Sequence, residues 1–294
     1  MAAATPALEA VKSWRCFDGT VTRYRHASAS LGLSATFIVF MPRQNADAAS
    51  TALPVPALFF LSGLTCTDEN FITKAGAQQH AAAHGIALVC PDTSPRGANF
   101  GPLETASWDL GMGAGFYVDA TQEPWRRHYR MASYLDELRE LVVACLPIDG
   151  GRLAIAGHSM GGMGALATAM RRPGVFKCAS AFNPIAHPSA CPWGDKAFTA
   201  YLGADRKAWD AYDPTALAGT YAGPPLPILI DQGGADEWLA AGQLLPAHFT
   251  AAAASNASLA VQFNEHAGYD HGYYFVSTFI GAHVAFAAKH VGSA

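Results

Sequence analysis

One serine in this chain sits where it could act as a nucleophile. Gly157-His158-Ser159-Met160-Gly161 follows a short apolar run, Arg152 to Ala156, and opens into an Ala, Met and Leu-rich stretch of helical character. In that context G-x-S-x-G reads as a nucleophile elbow, a sharp strand–turn–helix with the serine at its apex. The glycines have a physical reason. Neighbouring backbone must pass close to the strained serine, and a Cβ at Gly157 or Gly161 would obstruct it. The helix that begins after Ser159 aims its first N–H groups where an oxyanion would form. With 28 glycines in 294 residues the bare pattern can arise by chance. The alternative is an ordinary Gly/Ser turn, and the flanking strand and helix favour the elbow.

A serine hydroxyl needs a base to take its proton as it attacks, and the base needs a carboxylate to orient it. In α/β-hydrolases these follow in the order serine, acid, histidine. Two acids follow the apolar run Ile228-Leu-Ile: Asp231 at the strand end, and Asp236 beyond the Gly233-Gly234 turn. Asp236 is favoured because a loop there can bend its carboxylate towards a histidine. The competing reading makes Asp236 only the N-cap of a helix containing Trp238. His271, between Gly268 and Gly272 and just before a helix starting near Tyr273, is the better base. His266 lies nearer the strand end and reads as a surface or loop histidine, while His283 and His290 fall in the final helix. An oxyanion hole needs two preorganised N–H groups, each worth about 3 kcal/mol of transition-state stabilisation. Met160, next to the nucleophile, should supply one. Leu64, in Leu61-Ser-Gly-Leu-Thr-Cys66, should supply the other, with Gly63 turning it inward; a plain glycine turn is the alternative there.

The elements that must carry these residues can be traced along the chain. Ser34 to Met41, Ala57 to Leu61, Gly85 to Cys90, Arg152 to Ala156, Lys177 to Phe182, Pro225 to Ile230 and Leu259 to Asn264 read as strands. Tyr134 to Leu146 has helical spacing, with Leu135, Leu138, Leu141, Val142 and Cys145 on one face. Short apolar runs alternating with helices predict an α/β fold with a mostly parallel central sheet covered by helices on both faces. Every candidate falls at the carboxyl end of a strand, where such sheets place their sites. Asn45 to Pro56 reads as a surface loop. Thr93 to Tyr129, rich in Gly, Trp and Tyr, has little regular pattern and is expected to wall a pocket.

Bulk properties narrow the classes. A chain of 294 residues with 51% hydrophobic content can bury a large core as one domain, residues 1–294. A net charge of −4 with no basic run argues against nucleic acid as a partner. The first residues lack a basic n-region and an apolar h-region, and no apolar run reaches membrane-span length. A cytoplasmic protein with no membrane partner is therefore expected. The six cysteines show no C-x-x-C pair and the 11 histidines no H-E-x-x-H, which predicts free thiols and no metal. Gly111-Met-Gly-Ala-Gly115 follows no strand and does not complete G-x-G-x-x-G, so no dinucleotide or other cofactor is expected.

Longer motifs are more specific than the elbow. Leu61-Ser-Gly-Leu-Thr-Cys-Thr-Asp-Glu-Asn-Phe71, Ser107-Trp-Asp-Leu-Gly-Met-Gly-Ala-Gly-Phe-Tyr-Val-Asp119 and Cys191-Pro-Trp-Gly-Asp-Lys-Ala-Phe198 resemble the S-formylglutathione hydrolase (esterase D) family. So do Asp231-Gln-Gly, Gly242-Gln-Leu-Leu-Pro246 and Tyr269-Asp-His-Gly-Tyr-Tyr-Phe275. The resemblance implies an α/β-hydrolase fold and a serine hydrolase that cleaves S-formylglutathione to formate and glutathione in formaldehyde detoxification. It implies a Ser159–His271–Asp236 triad, a formyl-serine intermediate, and Leu64 and Met160 as oxyanion donors. A broad carboxylesterase using the same triad is the alternative; a noncatalytic binding protein and an acyl transferase to alcohols are more distant ones. The family is often thiol-sensitive at the position of Cys66 and often forms homodimers. Trp108, Asp109 and Trp193 are expected to line the substrate pocket. Met163 stands where the family usually has histidine, and altered packing under the elbow is the expected result. His187-Pro-Ser replaces a more regular family stretch.

Overall fold

The computed structural model describes residues 8–43 and 53–292. The loop expected over Asn45 to Pro56 therefore lies largely outside the described residues. Nine strands form one sheet: β1 Glu9–Arg15, β2 Gly19–Ser28, β3 Leu33–Pro42, β4 Val55–Leu61, β5 Ala87–Pro91, β6 Ile148–His158, β7 Phe176–Phe182, β8 Leu226–Gly233 and β9 Leu259–His266. The first helices are α1 Asn70–Lys74, α2 Ala77–His84, α3 Met131–Cys145, α4 Met160–Arg171 and α5 Pro192–Leu202. They are followed by α6 Pro214–Thr220, α7 Glu237–Ala240, α8 Pro246–Ala254 and α9 Tyr273–Val291. Among the described residues no helix is long and apolar enough to cross a membrane.

The strand order is β1-β2-β3-β5-β4-β6-β7-β8-β9. From β5 to β9 all neighbours are parallel, and β1, β2 and β3 extend the sheet as an antiparallel edge. The apolar runs of the parallel strands explain the layering. Alternate residues of a strand face opposite sides, so Ala57, Phe59 and Leu61 of β4 enter one core while Leu58 and Phe60 enter the other. The first core is closed by α3, through Leu135, Leu138 and Leu141, and by α4, through Met163 and Leu166. The second is closed by α2 and by Phe275, Ile280 and Val284 of α9. Strands buried on both faces must be apolar throughout, which is why they were legible as continuous runs.

Two strands have no counterpart among the expected elements. β1 is exposed along its whole length, and β2 mixes arginine, histidine and threonine with few buried positions. Neither carries an apolar run: β2 pairs antiparallel with β3, and β1 in turn with β2, so each is added to the sheet by its neighbour rather than marked by its own pattern. The stretch 93–129 also departs from expectation. It does contribute Trp108 to an aromatic surface, but much of it is core: Ala114, Phe116, Tyr117, Val118 and Tyr129 are buried. Its irregular backbone is satisfied by side chains, as where Gly111 N–H donates to the Tyr201 hydroxyl at 2.8 Å and Gly113 N–H to Ser94 Oγ at 2.8 Å.

Candidate active site

β6 ends at His158 and α4 begins at Met160, leaving Ser159 alone at the turn with φ 57° and ψ −120°. A left-handed φ is uncommon for a residue with a Cβ, and strain of this kind clusters at functional sites. The glycines are required by contact. A Cβ on Gly157 would lie 2.1 Å from the Gly161 carbonyl oxygen, and one on Gly161 would lie 1.9 Å from that of Leu61. The elbow is thus pressed against the end of β4, and with it the loop that follows β4. A Cβ on Gly63 would sit 3.1 Å from the Ser159 Cβ, so the Leu64 loop and the nucleophile are immediate neighbours. Met163 is buried beneath the elbow in the first core.

That loop is held rigidly. The Tyr117 hydroxyl donates to the Ser62 carbonyl at 2.8 Å, and Thr65 N–H donates to the Gly113 carbonyl at 2.9 Å. Thr93 Oγ1 and Arg96 Nη2 both donate to the Cys66 carbonyl. Among the described residues, neither Leu64 N–H nor Met160 N–H is committed to a protein acceptor. Two uncommitted N–H groups flanking a strained serine are the arrangement an oxyanion hole requires.

Asp236 combines the two roles weighed for it. Its Oδ1 caps α7, accepting from Trp238 N–H at 2.8 Å and Leu239 N–H at 3.3 Å. Its Oδ2 meets His271 Nδ1 at 2.6 Å. The cap therefore fixes the carboxylate that receives the imidazole. With Nδ1 committed to the acid, Nε2 is the ring nitrogen left for proton transfer. Asp236 is buried and the His271 side chain nearly so.

Asp231 belongs to a different cluster. It accepts from Asn264 Nδ2 at 2.7 Å, and His283 Nε2 and His266 Nε2 lie at 3.3 and 3.4 Å from it. Burial pushes its carboxyl up, but the adjacent His283, the bond from Asn264 and the nearby His266 hold it below the usual carboxylate range. The reading of His266 as a surface or loop histidine needs correction. It closes β9, packs on the Phe279 ring at 3.8 Å between centroids, and faces Asp231.

The expected wall residues lie together beside the acid loop. Trp108 and Trp193 stack edge to face at 5.6 Å, and Trp238, just beyond Asp236, joins them at 4.6 Å from Trp193. In the sequence Trp238 is marked only as part of a helix; its position two residues after the acid is the signal for its place in the site. Trp108 is half exposed, so this surface is open to solvent. Asp109 is already partnered: Ser107 Oγ and Lys196 Nζ both donate to its Oδ1. Cys66 is buried, and burial pushes its thiol up. A protonated thiol is a poor nucleophile. Among the described residues no group of three or more His, Cys, Asp or Glu side chains is arranged to hold a metal ion.

A strained serine on a strand–turn–helix, an acid-bound histidine and this sheet define an α/β-hydrolase of the esterase type. Residues 24–286 match the family model described as "Putative esterase". The S-formylglutathione hydrolase of Rattus norvegicus is 48% identical over 287 residues, covering 97% of this chain and 99% of that protein. The Arabidopsis thaliana S-formylglutathione hydrolase is 47% identical over 96% of this chain and 97% of its own length. A solved S-formylglutathione hydrolase from Agrobacterium tumefaciens superposes with a TM-score of 0.90 at 41% identity, covering 96% of this chain and 99% of that one. The chain belongs to the S-formylglutathione hydrolase family, and it is a hydrolase.

Proposed function

We propose that this enzyme hydrolyses S-formylglutathione to formate and glutathione in a single domain, with Ser159 as nucleophile, His271 as base and Asp236 as orienting acid. The observation that carries the reading is the 2.6 Å contact of His271 Nδ1 with Asp236 Oδ2, with the His271 ring 4.7 Å from that of His158, the chain neighbour of a serine held at φ 57°. The Ser159 oxygen attacks the formyl carbon as His271 Nε2 takes its proton. The developing oxyanion is held by Leu64 and Met160 N–H groups. The carbon–sulfur bond then breaks, the sulfur leaves as thiol with the proton from His271, and a formyl-serine remains. Water, deprotonated by the same histidine, attacks that ester and releases formate. Asp236 stabilises the imidazolium formed in each half-reaction.

The names and near-complete coverage of the relatives support the thioester substrate; a role in formaldehyde detoxification is part of the same proposal. The open surface of Trp108, Trp193 and Trp238 favours a second reading, a broad carboxylesterase that accepts apolar or aryl groups with the same triad. Comparing kcat/KM for S-formylglutathione and p-nitrophenyl acetate, with Ser159→Ala as blank, decides between them. A strong thioester preference abolished in the variant supports the first reading, comparable preference supports the second, and full activity of Ser159→Ala sinks the mechanism. A cytoplasmic location and a homodimer remain part of the proposal. The exposed edge strand β1, carrying Val11 and Trp14, supports the latter, and sedimentation measures it.

A further inference from the structure

The base stands on a loop, residues 267–272, between β9 and α9. No sheet or helix hydrogen bonds set the register of such a segment, yet a triad demands placement within a fraction of an ångström. Two consecutive carbonyls of this loop are nevertheless held by side chains from neighbouring strand ends. His158 Nε2, on the last residue of β6, lies 2.8 Å from the His271 carbonyl oxygen. Asn183 Nδ2, one residue beyond β7, donates to the Asp270 carbonyl at 3.1 Å.

Both side chains are buried and both reach a second part of the site. A carbonyl can only accept, so His158 carries its proton on Nε2, and its Nδ1 lies 3.2 Å from where a Gly63 Cβ would be. Its ring is therefore wedged between the oxyanion loop and the base loop, 4.7 Å from the His271 ring. Asn183 Oδ1 accepts from Gly233 N–H at 2.7 Å, and Asn183 N–H donates to the Asp231 carbonyl at 2.9 Å. Gly233 opens the acid loop, which itself touches the base loop through Ala235 N–H on the Tyr269 carbonyl at 2.9 Å. Asn183 has φ 43°, a conformation asparagine tolerates better than most residues.

We propose that His158 and Asn183 are positioning residues that clamp the carbonyls of Asp270 and His271, setting the imidazole in register with Ser159 and Asp236 at once. The proposal rests on the triad assigned above. The clamp works through backbone: a donor lost at either carbonyl frees the loop to shift, and His271 loses alignment with serine and acid while the substrate surface is unchanged. The effect belongs in kcat and not in KM, because it concerns proton transfer rather than ground-state binding.

The test uses p-nitrophenyl acetate with the full chain. His158→Phe keeps a ring and removes the donor; Asn183→Asp keeps the acceptor for Gly233 N–H and removes the donor to Asp270. Each is expected to lower kcat about 10²-fold, the scale of a misplacement of about 1 Å, with KM within about threefold of wild type. His158→Gln, which can still donate, should recover most of the rate. In a His271→Ala background, adding His158→Phe should leave the residual rate unchanged, because the clamp has no base left to position. Wild-type kcat in both donor-lacking variants, with His271→Ala lowered to its residual rate, overturns the clamp alone. An equal loss from His158→Phe with and without His271 also overturns it, since a general packing role would act in both backgrounds. Full activity of His271→Ala overturns the triad itself, and the clamp with it.

Discussion

His158 offers a stability test that is independent of turnover. Burial, and then the nearby His271, lower its imidazole to about 3, far below the ordinary histidine value near 6.5. Between these values the unfolded chain binds a proton at this side chain and the folded chain does not. Protons therefore favour unfolding, and stability falls as pH drops below about 6.5, levelling only near 3. At pH 5 the unfolded side chain is about 1.5 units below its own pKa, which corresponds to about 2 kcal/mol of lost stability; at pH 7.5 the loss is close to zero. Replacing His158 with glutamine removes the titration and keeps an amide donor for the His271 carbonyl. Urea unfolding of both proteins at pH 7.5 and pH 5 reads the difference. Wild type should lose about 2 kcal/mol more than His158→Gln over that interval. His26 and His283, also lowered by burial, are present in both proteins and cancel. Equal losses in the two proteins would show that His158 is free to charge in the folded state and that its buried ring is not held neutral.

Other consequences follow from particular contacts. Gly161→Ala drives a Cβ into the Leu61 carbonyl and should cost at least about 3 kcal/mol or prevent folding, as thermal and urea melts would register. Gly219→Ala, in α6 with no atom near its Cβ, should instead stabilise by about 0.5–1 kcal/mol in the same melts. Tyr117→Phe removes the buried donor to the Ser62 carbonyl; a loss of about 1–3 kcal/mol is expected, with kcat lowered through the oxyanion loop. Iodoacetamide at pH 7 should alkylate Cys66 slowly and faster as pH rises, as peptide mass spectrometry would show; rapid labelling at neutral pH would contradict a buried, raised thiol.

The residues that do chemistry were largely legible in the sequence because each comes with a local signature. An elbow serine needs glycine on both sides and a strand and helix around it, and all of these are contiguous. The five parallel strands in the middle of the sheet were legible for a related reason: burial on both faces leaves no room for polar residues, so the chain reads as apolar runs. β1 was not, because an exposed edge strand imposes almost no pattern on its sequence, and β2 was not, because its buried positions are held by Thr, His and Ser as well as Val and form no apolar run. The long stretch 93–129 is only partly legible, since turns built on side-chain bonds to Ser94 and Tyr201 have no periodicity to detect.

What the sequence could not decide is which groups meet across the fold. Asp231 and Asp236 are both carboxylates near one strand end, and chain order alone does not say which one finds His271. Only the packing of β8, β9 and α9 sends Asp231 to His266 and His283 and leaves Asp236 to the base loop. Likewise the type and place of Ser159 are local facts, whereas the hold of His158 and Asn183 on two carbonyls is not. Residue 158 lies 113 positions from His271, and residue 183 lies 87 from Asp270. Local sequence fixes backbone geometry because sterics act over a few bonds. Hydrogen-bond partners distant in the chain are chosen only when the sheet brings its strand ends to one edge.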